Sequence, residues 1–231
     1  MEAKTNTFGL TGNQLKMIAM LLMTVDHIGA YLLTQYSVLR IIGRLAMPVF
    51  AFMIAEGCRY TKNRLRYLLT IATFALVCQV VYWVFQHSLI QCILVTFSLS
   101  VLLIYVLEYA CREKSVLSVI LAIITLAAVC WICNGLPDIL PGFRIDYGLF
   151  GVLLPVAVYF GKTRPQQLAF AAADLALLAM GPYSHQWYAL LSLPLLALYN
   201  GKRGKGKLKY FFYFYYPLHL AAIYGIGLLL S

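Results

Sequence analysis

The chain has 231 residues, of which 62 % are hydrophobic and 11 % charged, with a mean hydropathy of +0.82. A soluble domain is nearer half apolar and about a quarter charged, so this composition excludes an ordinary soluble globular protein and predicts an all-α polytopic membrane protein. The net charge of +10 does not read as a nucleic-acid surface, because the basic residues fall in bursts between apolar runs instead of along one face. Six cysteines, Cys58, Cys78, Cys92, Cys111, Cys130 and Cys133, mostly sit inside those runs. The Cys130-x-x-Cys133 pair has no second pair and no nearby histidine, so small buried apolar residues are expected and no metal.

In chain order, the polar first 14 residues precede an apolar run too long for a signal h-region and without a cleavage site, so the first span is expected to stay. Hydropathy predicts about nine spans, with eight or ten as the alternatives, in one transmembrane domain covering 1–231. They fall near 13–34, 38–57, 65–86, 89–109, 115–133, 147–160, 166–181, 185–199 and 210–230, the sixth and seventh being short. Under strict alternation 15 of the 18 Lys and Arg residues fall on one side, leaving only Arg40, Arg44 and Arg144. That asymmetry predicts a cytoplasmic N-terminus and an external C-terminus in the bacterial inner membrane. The connections near 35–37, 87–88 and 182–184 carry no Lys or Arg. A longer external connection, "CNGLPDILPGFRIDYG" over 133–148, holds too many prolines and glycines for a continuous helix. It is a linker or a lid. No internal repeat of the kind transporters use is visible.

Ionisable residues inside spans are rare and mark sites or pathways. In "KMIAMLLMTVDHIGAYLL" (16–33), Lys16 and His27 are eleven residues apart, within about 20° of three full turns, and so share a helix face. The rise of about 16 Å puts His27 near mid-membrane if Lys16 is at the interface. Asp26 points about 100° away from His27 and so pairs with another helix, not with its neighbour. The second span supplies Arg40 and Arg44 on one face, with Glu56 at its far end. Gly43 there permits close approach and Pro48 a kink. A charge cluster between the first two helices, with Asp26 paired to Arg40 or Arg44, is the expected arrangement. Singly, the bland readings are a register-fixing Asp–Arg pair and a satisfied core histidine; together, six ionisable residues within 41 positions read as a site. "FRIDYG" adds Arg144, Asp146 and Tyr147 at the outer mouth of the sixth span. "YFFYFYYPLHL" adds Tyr216 and His219 beyond an interfacial aromatic belt and a kinking Pro217.

Taken together, "LKMIAMLLMTVDHIGAYLL…LRIIGRLAMPVFAFMIAEG", "DYGLFGVLL" and "GKLKYFFYFYYPLHL" resemble the TraX family, named for the F-pilin acetylase, over about residues 11–225. That family is related to the transmembrane acyltransferases, whose first helix is marked by a basic residue, ten intervening residues and a histidine, as in Lys16-x10-His27. The resemblance implies transfer of acetyl from cytoplasmic acetyl-CoA to a peptide amine, or to a glycan or other hydroxyl. It also implies that His27 is the catalytic histidine, and that Lys16, Arg40, Arg44 and Glu56 stand at motif positions.

On that reading His27, with an ordinary pKa of about 6.5, serves as general base or as a transient acyl carrier. Asp26, Arg40 and Arg44 complete the catalytic group, an arginine meeting the oxyanion. Lys16, Glu56 and the basic loops with Arg59, Lys205 and Lys207 are the expected CoA-binding residues, although topology alone also asks for basic loops there. Arg144, Asp146, Tyr147, Tyr216 and His219 are the expected acceptor-binding residues. Two rival classes remain at this point. One is a proton-coupled carrier using an Asp26/His27/Glu56 relay; the other is a non-catalytic membrane partner of a polymer or pilus machine.

Overall fold

A computed structural model describes residues 9–181, 184–206 and 208–230. Lys4 and Lys207 lie outside these, as do the loop residues 182–183 and the side chain of Lys209. In chain order the described elements are α1 (Gly12–Tyr31), α2 (Ser37–Gly43), α3 (Ala46–Tyr60), α4 (Arg64–Gln86), α5 (Ile93–Glu113), α6 (Val116–Asn134) and the single turn α7 (Leu136–Ile139). There follow α8 (Gly148–Phe160), α9 (Arg164–Ala179), a 3-10 helix (Ser184–Leu191), α10 (Ser192–Ala197) and α11 (Lys209–Leu230). Two-residue strands β1 (Ile90–Gln91) and β2 (Arg144–Ile145) pair in parallel. Apart from that short pair the described elements are helical, and the chain is a multi-pass membrane protein of all-α class. Five segments are long and apolar enough to cross a bilayer: Ser37–Tyr60, α4, α5, α6 and Tyr210–Leu230. Outward-facing leucines, isoleucines and valines cover much of α4 and α6, the surface that hydrocarbon covers in a membrane.

Two expected spans differ in form. The second is broken into α2 and α3 at residues 44–45, upstream of Pro48. A proline ring clashes with the carbonyl four residues earlier, here that of Arg44, so the helix ends where that clash would fall and Pro48 sits in the first turn of α3. The segment 185–199 is a 3-10 helix followed by the short α10 and not one α-helix. Pro194 cannot donate to the carbonyl of residue 190, which interrupts the α-ladder there. By contrast α11 runs unbroken across Pro217.

Contacts divide the chain into two compact units, residues 1–53 with 163–231, and residues 54–162. In the second, α5 packs against α4, α6 and α8. Its serine and threonine tie neighbours together: Ser100 Oγ donates to the Val152 carbonyl at 2.7 Å and Thr96 Oγ1 to the Asp146 carbonyl at 2.8 Å. Glu108 on α5 accepts from Arg64 on α4 and from the Tyr159 hydroxyl on α8, both at 2.6 Å. Val129, Cys133, Val152 and Ile145 of β2 form a buried apolar cluster.

Arg59, near the end of α3, closes this unit at another point. Its Nη1 donates to Glu56 at 2.7 Å, and its Nη2 to the carbonyls of Val158, Tyr159 and Gly161 at 2.6, 2.6 and 3.0 Å. The last carbonyls of a helix have no intrahelical donor, and a cation there also meets the negative end of the helix dipole. Arg59→Met removes that cap and leaves Glu56, 7 % exposed, without its cation, a loss of about 3–5 kcal/mol. The expected result is a clear drop in the melting temperature of the detergent-purified protein; an unchanged melting curve would mean the end of α8 finds other donors.

Candidate active site

The first unit begins with a capping box. Thr11 Oγ1 accepts from the Gln14 amide while the Gln14 side chain accepts from Thr11 N–H. The next donors of α1 are answered by the basic loop after residue 200: Gly12 N–H donates to the Lys202 carbonyl at 2.8 Å and Asn13 N–H to the Arg203 carbonyl at 2.9 Å. Asn13 Nδ2 reaches the Lys205 carbonyl at 3.0 Å. Gly204 turns the loop at φ +89°, where a Cβ would lie 2.7 Å from Thr11 Oγ1, so only glycine fits. Beside this junction runs an open groove of about 920 Å³ lined by Thr11, Asn13, Met17, Lys202 and Lys205 among others. The N-terminal amides of α1 are therefore already occupied, and the lysines are the cations that face the groove.

From there α1 presents two different faces. The first carries Asp26, which is buried and bonded by Arg40 of α2 and by Arg44 at the end of that helix. Arg40 Nη1 donates to Oδ2 at 2.6 Å and to the Asp26 carbonyl at 3.1 Å, while Arg44 Nη2 reaches Oδ1 at 2.6 Å and Oδ2 at 2.5 Å. The pairing follows from burial: a charge taken out of water without a partner is costly, and charge-assisted bonds from two guanidinium groups offset that cost. The approach is close because the two facing residues are glycines. A Cβ on Gly43 would stand 2.2 Å from Asp26 Cβ, and one on Gly29 would stand 2.6 Å from Leu39 Cβ.

The second face carries Lys16, Thr24, His27 and Tyr31, spaced by eight, three and four residues, and it meets α11. Lys16 Nζ lies 5.5 Å from the centre of the Phe212 ring. Thr24 Oγ1 and the Tyr215 hydroxyl are 2.6 Å apart. His27 Nδ1 is 2.8 Å from His219 Nε2, and His219 Nδ1 is 3.0 Å from the Tyr215 carbonyl. A carbonyl only accepts. With both rings neutral, His219 Nδ1 therefore carries its proton and Nε2 its lone pair, so His27 donates from Nδ1 and keeps Nε2 as a free base. Tyr31 stacks on His27 at 6.1 Å, and Tyr216 meets it edge-on at 6.2 Å.

Five of the other expected site residues, Glu56, Arg59, Arg144, Asp146 and Tyr147, lie in the second unit. Glu56 and Arg59 belong to the α8 cap described above. Arg144 lies in β2 beside Ile90, the Asp146 amide donates to the Gln91 carbonyl at 3.3 Å, and Tyr147 takes a left-handed φ of 59° at the start of α8. Lys205 lines the groove. Reasoning from sequence passed over Thr24, Tyr31, Phe212 and Tyr215. The three- and four-residue spacing from His27 could have found the first two; nothing local signals the others.

The TraX protein family matches residues 11–227 of the chain. A relative, "Probable fimbrial assembly protein FimC, serogroup H1" of Dichelobacter nodosus, is 28 % identical over 91 % of this chain and 93 % of its own length. The "Uncharacterized protein RP591" of Rickettsia prowazekii (strain Madrid E) is 46 % identical over 55 residues, covering 24 % of this chain and 22 % of its own. No solved structure matches.

The α1–α2 contact can be tested without touching a charge. Gly43→Ala must push α2 off Asp26, at a cost of about 1–3 kcal/mol, and should lower the melting temperature. Asp26→Asn should do the same by leaving two arginines on a neutral partner. Wild-type melting in both variants would remove the Asp26 contact as the clamp between these helices.

Proposed function

The chain belongs to the TraX family, and from that membership we propose that it is an inner-membrane acyltransferase acting in pilus assembly. It moves acetyl from cytoplasmic acetyl-CoA to an amine or hydroxyl of a pilus subunit or other surface molecule. The observation that carries this reading is the hydrogen-bonded chain His27–His219–Tyr215 carbonyl, which leaves His27 Nε2 as a base at the histidine position implied by Lys16-x10-His27. The fimbrial relative favours the pilus context.

His27 Nε2 takes the proton of the acceptor N–H or O–H as that atom attacks the thioester carbonyl. The carbon–sulfur bond breaks, and the CoA thiolate leaves with the proton returned from His27. His219 is a positioning residue: it accepts from Nδ1 and strengthens as His27 becomes cationic. Arg44, buried, holds Asp26 in place. Arg40, with 34 % of its side chain exposed, is the arginine with surface left to meet the developing oxyanion. Asp26 then acts through the arginines and not as a proton carrier. The donor enters beside Lys16, Lys202 and Lys205, its phosphates on the lysines and its pantetheine arm along α1 toward His27. The basic-residue asymmetry supports a cytoplasmic N-terminus and loop 202–206. For the carrier reading, the relay residues have other partners: Asp26 is held by two arginines, and Glu56 by Arg59.

CoA release from acetyl-CoA by the purified protein, with candidate amines and hydroxyls added, tests the chemistry. His27→Ala should lower turnover by about 10²–10⁴ while the protein stays folded. His219→Ala should also impair it, and His219→Gln, whose amide oxygen can still accept from Nδ1, should recover part of the loss. Turnover independent of His27 would remove it from the mechanism. A cysteine at Lys205 should react with an impermeant reagent only after the cells are opened; labelling of intact cells would invert the orientation.

A further inference from the structure

Two of the six cysteines meet across the corner between α4 and α5, within the second unit. Cys78 lies on α4, about two turns before its end, and Cys92 is the N-cap of α5. The two thiol groups are hydrogen-bond partners. Cys92 Sγ also donates to the carbonyl of Ala75 at 3.7 Å, and Ala75 lies one turn before Cys78 on the same face of α4. Both cysteines are free thiols, 0 % and 1 % exposed.

The corner is built to hold them there. Gln79, next to Cys78, brackets the end of the loop with its carboxamide. Its Nε2 donates to the Ile90 carbonyl at 3.0 Å, and its Oε1 accepts from the Cys92 amide at 3.3 Å. On the other side Ile90 and Gln91 pair with Arg144 and Ile145, and the Asp146 amide donates to the Gln91 carbonyl at 3.3 Å. Cys92 itself has an extended backbone, φ −68° and ψ 160°, before the ladder of α5 begins. Sulfurs already in contact on two tethered segments reach bonding distance with little backbone movement. The Cys130-x-x-Cys133 pair is different, since both residues sit within the single helix α6.

The charges of this hairpin say which compartment its corner faces. Residues 87–92 contain no Lys or Arg, whereas α4 begins with Arg64 and Arg66, and α5 ends at Arg112 and Lys114. Basic ends stay cytoplasmic, which puts the corner in the outer compartment, where disulfides form and persist.

We propose that Cys78 and Cys92 are joined by a disulfide that staples α4 to the start of α5. Each thiol loses its proton and the two sulfurs form one bond. The two electrons pass to the disulfide of a thiol–disulfide oxidoreductase of the outer compartment, which is reduced to a dithiol. That exchange runs through a mixed disulfide and needs access, so it precedes the packing of α8 and β2 against α5. The bond then restrains the unfolded chain and keeps β1 where β2 pairs with it. The inference rests on the orientation proposed above and not on the acyl-transfer chemistry.

The test uses cells producing the full chain, with thiols trapped by acid. The denatured protein is alkylated with N-ethylmaleimide, and its mass is read before and after reduction. Two cysteines should escape alkylation until reduction, and peptide mapping should join Cys78 to Cys92. In Cys78→Ser and in Cys92→Ser every remaining thiol should alkylate at once. Reductant should lower the melting temperature of the detergent-purified wild type by several degrees and leave both variants unmoved. Should a serine variant fail to accumulate, mapping of the wild type decides the pairing. Complete alkylation of the wild type without reduction, or a bond between Cys130 and Cys133 in its place, would overturn the staple. Cys111, exposed near the far end of α5, separates the two readings, because an impermeant maleimide should leave it unlabelled in intact cells. All thiols free with Cys111 shielded would sink the staple alone; Cys111 labelled from outside would sink the orientation on which it rests.

Discussion

The Asp26 carboxylate, held between Arg40 and Arg44 against Gly43, sets how the first helix crosses the second. Away from water an unpaired carboxylate or guanidinium is so unfavourable that these three residues satisfy one another in a single place. The two guanidinium bonds to each arginine's shared partner fix the axial register of α1 against α2, and the absent side chains of Gly43 and Gly29 fix how closely the two helices approach. Once that face of α1 is committed, the rotation of the helix is decided, and with it the direction in which His27 points.

That rotation delivers His27 to α11. Asp26 and His27 are adjacent in sequence but, being about 100° apart on the helix, they serve different interfaces. The carboxylate orders the scaffold while the imidazole is ordered by a second imidazole, itself pinned by a backbone carbonyl. A carbonyl is a more reliable tautomer setter than a titratable side chain because it has no proton to gain or lose in the working range. The aromatic rings of Tyr31, Tyr215 and Tyr216 around the pair limit how either histidine can tilt.

The charges of the second unit do different work. Arg59 caps α8, and Glu108 joins α4, α5 and α8 through Arg64 and Tyr159. Each of these charges has its partner in a neighbouring turn or helix, which is what a structural charge in a bundle requires. Asp174, Gln186 and Ser192 contrast with them by having buried oxygens unmatched within the described residues.

Local periodicity determined much of this in the sequence itself: the helical class, most helix positions, the shared face of Lys16 and His27, the offset of Asp26, and the four-residue spacing of Arg40 and Arg44. These are properties of one helix and its 100° step, and a residue's place on its own cylinder does not depend on the rest of the chain. The place of Asp26 within an apolar run further called for a partner, which Arg40 and Arg44 of the next helical segment supply. Tertiary structure alone decided that His27 meets His219, 192 residues away, and that Arg59 is spent on a helix end. It also decided that Asp174 turns inward on α9. Such pairings depend on which faces come together when the helices pack, and that is settled by the joint fit of segments far apart in the chain, which no local spacing encodes.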